Sequence, residues 1–179
     1  MITLPIPSIE GLVTDRLRFR RLQQSDMDWW MDYMNSAEAI RFMPFTVGSR
    51  TDGMAMIQRS LERHAQDGSG LHAVLLSDGG VPVGMCGLLT QEVDGQPELE
   101  IGYHFLPQHW GNGYAAEAAI AVKRFAFDHR VTPSVISLID PDNLKSQAVA
   151  LRNGMVQEGR TIHRGTEALV FRIKVPNAF

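Results

Sequence analysis

The chain has 179 residues, 44% of them hydrophobic and 21% charged, which is enough for one globular domain with a sizeable core but not for two. A formal net charge of −3 offers no strong field for nucleic acid, and no apolar run is long enough to cross a membrane, so we expect neither partner. The first residues have neither a basic start nor a cleavage pattern, which predicts a cytoplasmic protein.

Alternation of apolar and basic side chains predicts a first strand over residues 14–22. The basic cluster from Arg16 to Arg21 is interpreted as the solvated face of that strand, in preference to a phosphate-binding patch. Ser25 is predicted to cap a first helix that is rich in aromatic residues. A second helix is expected over residues 51–66.

The middle of the chain has the pattern of three strands, over residues 71–76, 81–89 and 98–105, with turn signals at residues 77–80 and 94–97. The single cysteine, Cys86, lies in an apolar run of the second of these strands. That setting indicates a buried structural thiol rather than a nucleophile. Because the six histidines are dispersed and no zinc-type spacing occurs, we expect no metal site.

A long helix is predicted over residues 113–129, then a strand at 135–139, a helix at 141–153 that Gly154 ends, and two strands at 155–162 and 166–173. Hairpins build the middle of the sheet, whereas the strand-helix-strand unit implies a parallel neighbour with a right-handed crossover. The expected fold is therefore α/β, with one mixed sheet and helices on its faces.

The segment from Phe105 to Ala118 is the most informative, because a strand ends, a turn containing Gly111 and Gly113 follows, and an amphipathic helix begins. Glycines let a phosphate approach the backbone N–H groups of a helix start, where the helix dipole favours an anion. The alternative is an ordinary strand-to-helix turn. The missing lysine excludes a P-loop, and the missing third glycine excludes a dinucleotide fingerprint.

The pattern Gln108-x-x-Gly111-x-Gly113-x-Ala115 resembles the phosphate-binding element of the GNAT-superfamily acetyltransferases. Residues 14–20, 99–103, 139–146 and 152–155 resemble motifs of the branch that contains the ribosomal-protein N-terminal acetyltransferases (RimJ/RimL-like). The resemblance spans residues 14–173 of what we take as a single domain, 1–179. It implies the acyl-CoA N-acyltransferase fold, with a mostly antiparallel sheet. It also implies acetyl transfer from acetyl-CoA, without a metal, to a primary amine.

The resemblance further implies where coenzyme A binds. The turn would hold the pyrophosphate, Asn143 the pantetheine arm, and a backbone N–H of Phe105 or Leu106 the oxyanion of the intermediate. Asn143 is also placed to cap the helix that follows it. The predicted cofactor-binding residues are Phe105, Leu106, Gln108, Gly111, Asn112, Gly113, Tyr114, Ala115 and Asn143.

Acetyl transfer requires the attacking amine to lose a proton, and Glu100 is the candidate general base. It lies several residues upstream of the turn, where an extended pantetheine arm would end. The plainer alternative is a solvated strand carboxylate, like its neighbour Glu98. Strand alternation places Glu98, Gly102 and His104 on the same face, which makes His104 a second candidate base. A further alternative is that the base takes the proton through a water molecule.

The leaving thiolate benefits from a hydrogen-bond donor, and Ser146 is the second predicted catalytic residue because the resemblance places it near the sulfur. Many GNAT enzymes carry a tyrosine acid four residues further on, where this chain has Ala150. That departure leaves three alternatives for the leaving thiolate. Ser146 assists it, a water molecule assists it, or it departs without an acid.

Three functional interpretations follow from the sequence: an N-acetyltransferase, a non-catalytic acyl-CoA-binding or sensor domain on the same fold, and an interaction module without a ligand. Glu100 and Ser146 favour the enzyme over the sensor, and the glycine turn disfavours the module. The acceptor amine is left open between a protein N-terminus, an amino acid, a polyamine and an aminated drug. A homodimer is also left open.

Overall fold

Across residues 1–175, the part of the chain that the computed structural model describes, one seven-stranded sheet carries helices on both faces. The strands are β1 (Leu17–Arg21), β2 (Gly70–Leu76), β3 (Pro82–Val93), β4 (Gln96–Phe105), β5 (Ser134–Ile139), β6 (Val156–His163) and β7 (Thr166–Lys174). The α-helices are α1 (Met27–Met34), α2 (Ala37–Ile40), α3 (Arg50–Gln66), α4 (Tyr114–Asp128) and α5 (Leu144–Arg152), and short 3-10 turns lie at Gln24–Asp26 and Pro107–His109. Among these helices none is long and apolar enough to span a membrane.

The strands follow the order β1-β2-β3-β4-β5-β7-β6, and neighbours run antiparallel except for β4 and β5. The parallel pair confirms the parallel neighbour that the strand-helix-strand pattern predicts. Its ladder pairs at one position, Glu100 with Ile136. Beyond it, residues 101–105 of β4 and 137–139 of β5 have no ladder pairs with each other, and we call this stretch the ladder gap.

Each face of the sheet has its own apolar core. On one face α4 and α5 cover strand residues such as Leu99 and Ile101, and on the other α1 and α3 cover residues such as Leu71. This confirms the predicted fold class. Cys86 is fully buried in the first core, as expected of a structural thiol, and burial raises the pKa of that thiol.

The start of α1 corrects one prediction. Ser25 does not cap the helix; the carboxylate of Asp26 instead accepts hydrogen bonds from the Gln23 backbone N–H and the Trp29 indole N–H, both at 2.8 Å, and pairs with Arg20 at 2.6 Å. Burial would raise the pKa of Asp26, but these hydrogen bonds outweigh it and lower the pKa. Helix α2 has only four residues, too few for a periodic pattern, so the sequence does not predict it.

The largest difference in element bounds is at the end of β3, which runs to Val93 instead of residue 89. Asp94 and Gly95 have φ of 51° and 73°, so they form a two-residue turn in which both residues lie in the left-handed region. Such a turn matches the twist of its strands and extends the ladder up to the Val93–Gln96 pair.

Candidate active site

The predicted site residues lie around the ladder gap. Parallel strands present their carboxyl ends at the same edge of a sheet, and here α4 and α5 follow β4 and β5 from that edge. The Tyr103 hydroxyl on β4 donates to the Ser146 carbonyl on α5 at 2.9 Å. The Lys145 ammonium on α5 lies 4.0 Å from the centre of the Trp110 ring, which belongs to the turn before α4. The turn, β4 and the first turn of α5 therefore border one gap.

Residues 108–115, which we call the phosphate turn, have the backbone that an anion site requires. Gly111 and Gly113 have φ of 81° and 80°, in the left-handed region that glycine tolerates best. A Cβ at Gly111 would meet nothing within 4 Å, and at Gly113 it would lie 3.6 Å from Arg16. Crowding by other protein atoms therefore does not require these two glycines, whereas their conformation favours them.

The start of α4 leaves donors without a partner in the helix. The first intrahelical bond runs from the Glu117 N–H to the Gly113 carbonyl at 3.1 Å, so the N–H groups of residues 114–116 have no intrahelical acceptor. Gly113 occupies the cap position and has no side chain to satisfy them. These donors and the helix dipole together suit a phosphate group.

The other predicted residues of the phosphate turn are engaged within the protein. The Asn112 amide donates to the carbonyls of His109 and Trp110, at 3.1 and 3.3 Å, and so shapes the turn. The Gln108 amide donates to the carboxylate of Asp32 at 3.0 Å, which ties the turn to α1.

Glu100 has the surroundings expected of a general base. Its carboxylate accepts hydrogen bonds from the Gln91 amide at 2.6 Å and from the Leu138 backbone N–H at 3.3 Å. Burial raises the pKa of Glu100, although these two hydrogen bonds oppose the shift. A carboxylate with a raised pKa is better matched to proton transfer near neutral pH than an ordinary one.

The comparison of Glu100 with a solvated Glu98 is wrong, since neither carboxylate is simply solvated. Glu98 accepts two hydrogen bonds from Arg172, at 2.7 and 2.9 Å, and its side chain is 18% exposed. It belongs to an ion-pair cluster that also contains Glu158. Glu98 is therefore structural.

The candidate base and the candidate thiolate donor lie on opposite faces of the sheet. Ile101 packs in the core beneath α4, whereas the His104 ring lies 5.9 Å from the Tyr33 ring of α1. Alternation along β4 therefore puts Glu100 on the face of α1 and α3, together with His104, as the sequence predicted. Ser146, held by Tyr103, lies on the face of α5. The ladder gap lies between them.

His104 contacts Tyr33 of α1. The Tyr33 hydroxyl donates to the Ala39 carbonyl at 2.8 Å and lies 3.3 Å from Nδ1 of His104. In the tautomer with the proton on Nδ1, that nitrogen donates to the hydroxyl oxygen and Nε2 is an acceptor. Burial lowers the pKa of His104 to about 4, so the ring is neutral at pH 7.

Asn143 caps α5 as predicted, since its side-chain oxygen accepts the Ser146 backbone N–H at 3.1 Å. Ser146 is half-buried. Ala150, at the position where many GNAT enzymes have a tyrosine, is 1% exposed and part of the core. A phenol would not fit there, so the departure from the family pattern matches the packing of α5.

One predicted donor is already occupied. The Leu106 backbone N–H donates to the Val83 carbonyl at 2.9 Å, so Leu106 is not the oxyanion donor. Successive residues of a strand direct their backbone groups to opposite sides, so the Phe105 backbone faces away from β3. The Phe105 carbonyl accepts the Trp110 indole N–H at 2.7 Å on that side. Of the two candidates, Phe105 remains.

Three residues at the site were missed or misinterpreted in the sequence. Gln91 contacts Glu100 through the β3–β4 register, which the turn at residues 94–95 could have predicted. The sequence pattern of Tyr103 indicates a motif residue but not its contact with Ser146. Arg16 is exposed, as expected of a solvated residue, but it precedes β1, which begins at Leu17, and it contacts the phosphate turn. Within residues 1–175, no group of three or more His, Cys, Asp or Glu side chains could hold a metal ion.

Comparison with known proteins agrees with this geometry. A family model described as acetyltransferase (GNAT) domain matches residues 16–156. A relative from Bacillus subtilis, described as the uncharacterised protein YkkB, is 32% identical over 146 residues, which cover 80% of this chain and 84% of the relative.

Solved structures share the architecture. The crystal structure of the acetyltransferase from Agrobacterium tumefaciens matches with a TM-score of 0.80 and 29% identity, over 94% of this chain and 96% of that one. RimL, a ribosomal L7/L12 α-N-protein acetyltransferase solved in complex with coenzyme A, has the same fold with a TM-score of 0.72 at 16% identity, over 97% and 98% of the two chains. The chain therefore belongs to the GNAT acetyltransferase family and is an N-acetyltransferase.

Proposed function

We propose that this enzyme transfers the acetyl group of acetyl-CoA directly to a primary amine, on a protein N-terminus or on a small molecule. The observation that carries the proposal is that Glu100, with its raised pKa, and the uncapped start of α4 border the same ladder gap. RimL, which shares the fold, was solved with coenzyme A. On this proposal the thioester lies in the gap, where the acceptor amine meets it.

The phosphate turn would bind the pyrophosphate of acetyl-CoA through the N–H groups of residues 114–116. From there the pantetheine arm would pass the start of α5, within reach of Asn143, and enter the gap. The acceptor would come from the face of α1 and α3, because Glu100 lies on that face. The two substrates would then meet from opposite sides of the sheet.

In the reaction the amine nitrogen attacks the thioester carbon, and Glu100 accepts the proton that the nitrogen loses, directly or through a water. The Phe105 backbone N–H would stabilise the oxyanion. The C–S bond then breaks, and the thiolate departs with a hydrogen bond from the Ser146 hydroxyl before it takes up a proton. His104 is the second candidate for the base, because its neutral ring has one unprotonated nitrogen.

Ligand binding and catalysis test this proposal separately. Acetyl-CoA at a hundred times its dissociation constant should stabilise the fold by about 2.7 kcal/mol and raise the melting temperature, whereas NAD and ATP should do much less. A panel of peptides, amino acids, polyamines and aminoglycosides, assayed for release of free coenzyme A thiol, should then reveal an acceptor. If acetyl-CoA did not shift the melting temperature, the proposal that it is the cosubstrate would be refuted. Binding of acetyl-CoA without turnover on any amine would favour the sensor interpretation.

A further inference from the structure

Arg16 lies beside the phosphate turn, but the mechanism above does not use it. Its guanidinium donates to the Asn112 carbonyl at 3.0 Å and to one carboxylate oxygen of Glu117, from Nε at 2.7 Å and from the second terminal nitrogen at 2.6 Å. It also lies over the Tyr114 ring, 4.7 Å from the ring centre. One side chain thus contacts both the turn and the first turns of α4.

Glu117 is in turn held firmly. Its other carboxylate oxygen accepts the Thr14 hydroxyl at 2.5 Å and the Arg16 backbone N–H at 3.1 Å. The side chain is 18% exposed. Burial would raise the pKa of Glu117, but the hydrogen bonds from Thr14 and Arg16 outweigh it and lower the pKa, so the carboxylate is charged at neutral pH. A fixed carboxylate orients the guanidinium fork.

We infer that Arg16 is a positioning residue for coenzyme A: anchored by Glu117, it holds the Asn112 carbonyl and so the conformation of the phosphate turn. The inference rests on the proposed function, in which that turn binds the pyrophosphate. Gly111 and Gly113 give the turn many accessible conformations, so its donors converge on one anion only if side chains restrain them, as Asn112 does from within the turn. The Arg16 contacts supply that restraint from the segment before β1.

A purely electrostatic role makes opposite predictions. If Arg16 only supplied positive charge to the phosphates, a lysine would serve nearly as well. Removal of the negative Glu117 from the start of α4 would then strengthen anion binding. If Arg16 positions the turn, lysine fails because one ammonium cannot reproduce the fork, and loss of Glu117 weakens binding because the guanidinium loses its anchor.

Calorimetric titration of coenzyme A decides between the two roles. We expect Arg16→Lys and Glu117→Gln each to raise the dissociation constant about tenfold, the effect of losing one charge-assisted hydrogen bond. Arg18→Ala, an exposed arginine of β1, should match the wild type. If Arg16 and Glu117 act as a coupled pair, the double variant should bind coenzyme A no more weakly than the weaker-binding single variant. Wild-type affinity in Arg16→Lys, or tighter binding by Glu117→Gln, would overturn the inference.

Dephospho-coenzyme A, which lacks the 3′-phosphate, gives a second readout. A positioning role on the pyrophosphate site predicts the same loss for both ligands, whereas loss confined to coenzyme A would mean that Arg16 contacts the 3′-phosphate directly and would overturn the inference. Thermal melts of each variant check that the fold is retained. If the wild type itself bound neither ligand, the proposed function would fail. If the wild type bound coenzyme A and the variants bound it with the same affinity, only the role of Arg16 would be refuted.

Discussion

Glu100 occupies the position where the ladder between β4 and β5 ends. Its carboxylate accepts the Leu138 N–H of β5, and the Ser137 hydroxyl donates to the Ile101 carbonyl at 2.9 Å, so side chains replace the missing ladder bonds. The same burial that raises the pKa of Glu100 makes its charged form costly to the folded state. A residue kept at such a cost fits a catalytic role better than a structural one.

Replacing Glu100 by glutamine separates proton transfer from binding. Glu100→Gln should keep the affinity for acetyl-CoA and lower turnover about 100-fold or more, since shape is retained and the proton acceptor is lost. The wild-type rate should rise with pH as Glu100 loses its proton, at a pH above the usual carboxyl range because its pKa is raised. That limb should be absent from the variant. Steady-state kinetics across the acidic and neutral pH range measure both effects.

Glu98→Gln is the matched control on the same face of β4. It breaks the Arg172 pair, so we expect reduced stability with turnover kept. If the rising limb survives in Glu100→Gln, the titrating group is the substrate amine; full activity in that variant would transfer the role of the base to His104.

His72 is a buried ionisable residue that bears on stability rather than catalysis. It is 2% exposed, neither ring nitrogen has a hydrogen-bond partner among the described residues, and its ring lies 4.4 Å from that of His64. Burial, reinforced by His64, lowers the pKa of His72 to about 3. Because this lies below the unfolded value, the unfolded chain binds the proton first, and stability present at neutral pH is lost as the pH falls below about 6.5.

His72→Phe should remove most of this acid sensitivity. For the wild type we expect His72 to account for a loss of about 2 kcal/mol in the free energy of unfolding between about pH 8 and about pH 5. Urea denaturation at a series of pH values measures the slope, which does not depend on how well phenylalanine packs. The exposed His129, changed to phenylalanine, is the control and should leave the slope intact. If the free energy of unfolding of His72→Phe fell with pH as steeply as that of the wild type, the acid sensitivity would come from other residues.

At the scale of elements, the phosphate turn and α4 act as one unit. The turn ends at Gly113, whose positive φ lets the helix start without a side chain over its N–H groups. Arg16, Asn112 and Glu117 then link that start to the segment before β1. A change in the conformation of Gly113 should therefore weaken ligand binding more than it destabilises the core.

Gly113→Val should raise the dissociation constant of coenzyme A about tenfold or more while the fold persists. A β-branched residue resists the φ of 80°, and its side chain would occupy the approach to the helix start. Gly165→Val is the matched control, because Gly165 has φ of 83° and a Cβ there would meet nothing within 4 Å, but it lies in the β6–β7 turn. Calorimetry should show a defect for the first variant alone. Unchanged affinity in a folded Gly113→Val would mean that the phosphates bind elsewhere.

At the scale of the whole molecule, the sheet consists of an antiparallel part, β1 to β4, and a second part, β5 to β7, that meet across the ladder gap. Across the chain, the Lys145 ammonium of α5 pairs with Glu38 of α2 at 2.6 Å. Both side chains are about two-thirds exposed, so this contact contributes little to stability. Beyond Glu100 the two parts of the sheet are joined by side-chain hydrogen bonds instead of a ladder, at the place where we expect the thioester.

Hydrogen exchange measured by mass spectrometry should detect the ligand in the gap. We expect coenzyme A to slow exchange in residues 101–105 and 114–116, because the N–H groups of β4 that face the gap and those at the start of α4 have no ladder or helix partner and become covered or bonded. The β6–β7 turn, at residues 163–166, should exchange at an unchanged rate. Protection at that turn, with none along the gap, would contradict the proposed path of the pantetheine arm.

Much of the fold and some of the site could be predicted from the sequence. Alternation identified the strands and placed Glu100 and His104 on one face, the glycines marked the phosphate turn, and Asn143 marked the start of α5. Each of these signals depends on residues within a few positions of one another, where local periodicity, φ preference and capping act.

Only the tertiary structure decided which of these local features meet. Arg16 and Glu117 are 101 positions apart, and Tyr103 and Ser146 are 43 apart, yet each pair forms a hydrogen bond at the ladder gap or the turn beside it. Likewise, the raised pKa of Glu100 comes from its burial in the folded chain. No local pattern encodes such contacts, because they depend on how the folded sheet brings distant segments together and excludes water from them.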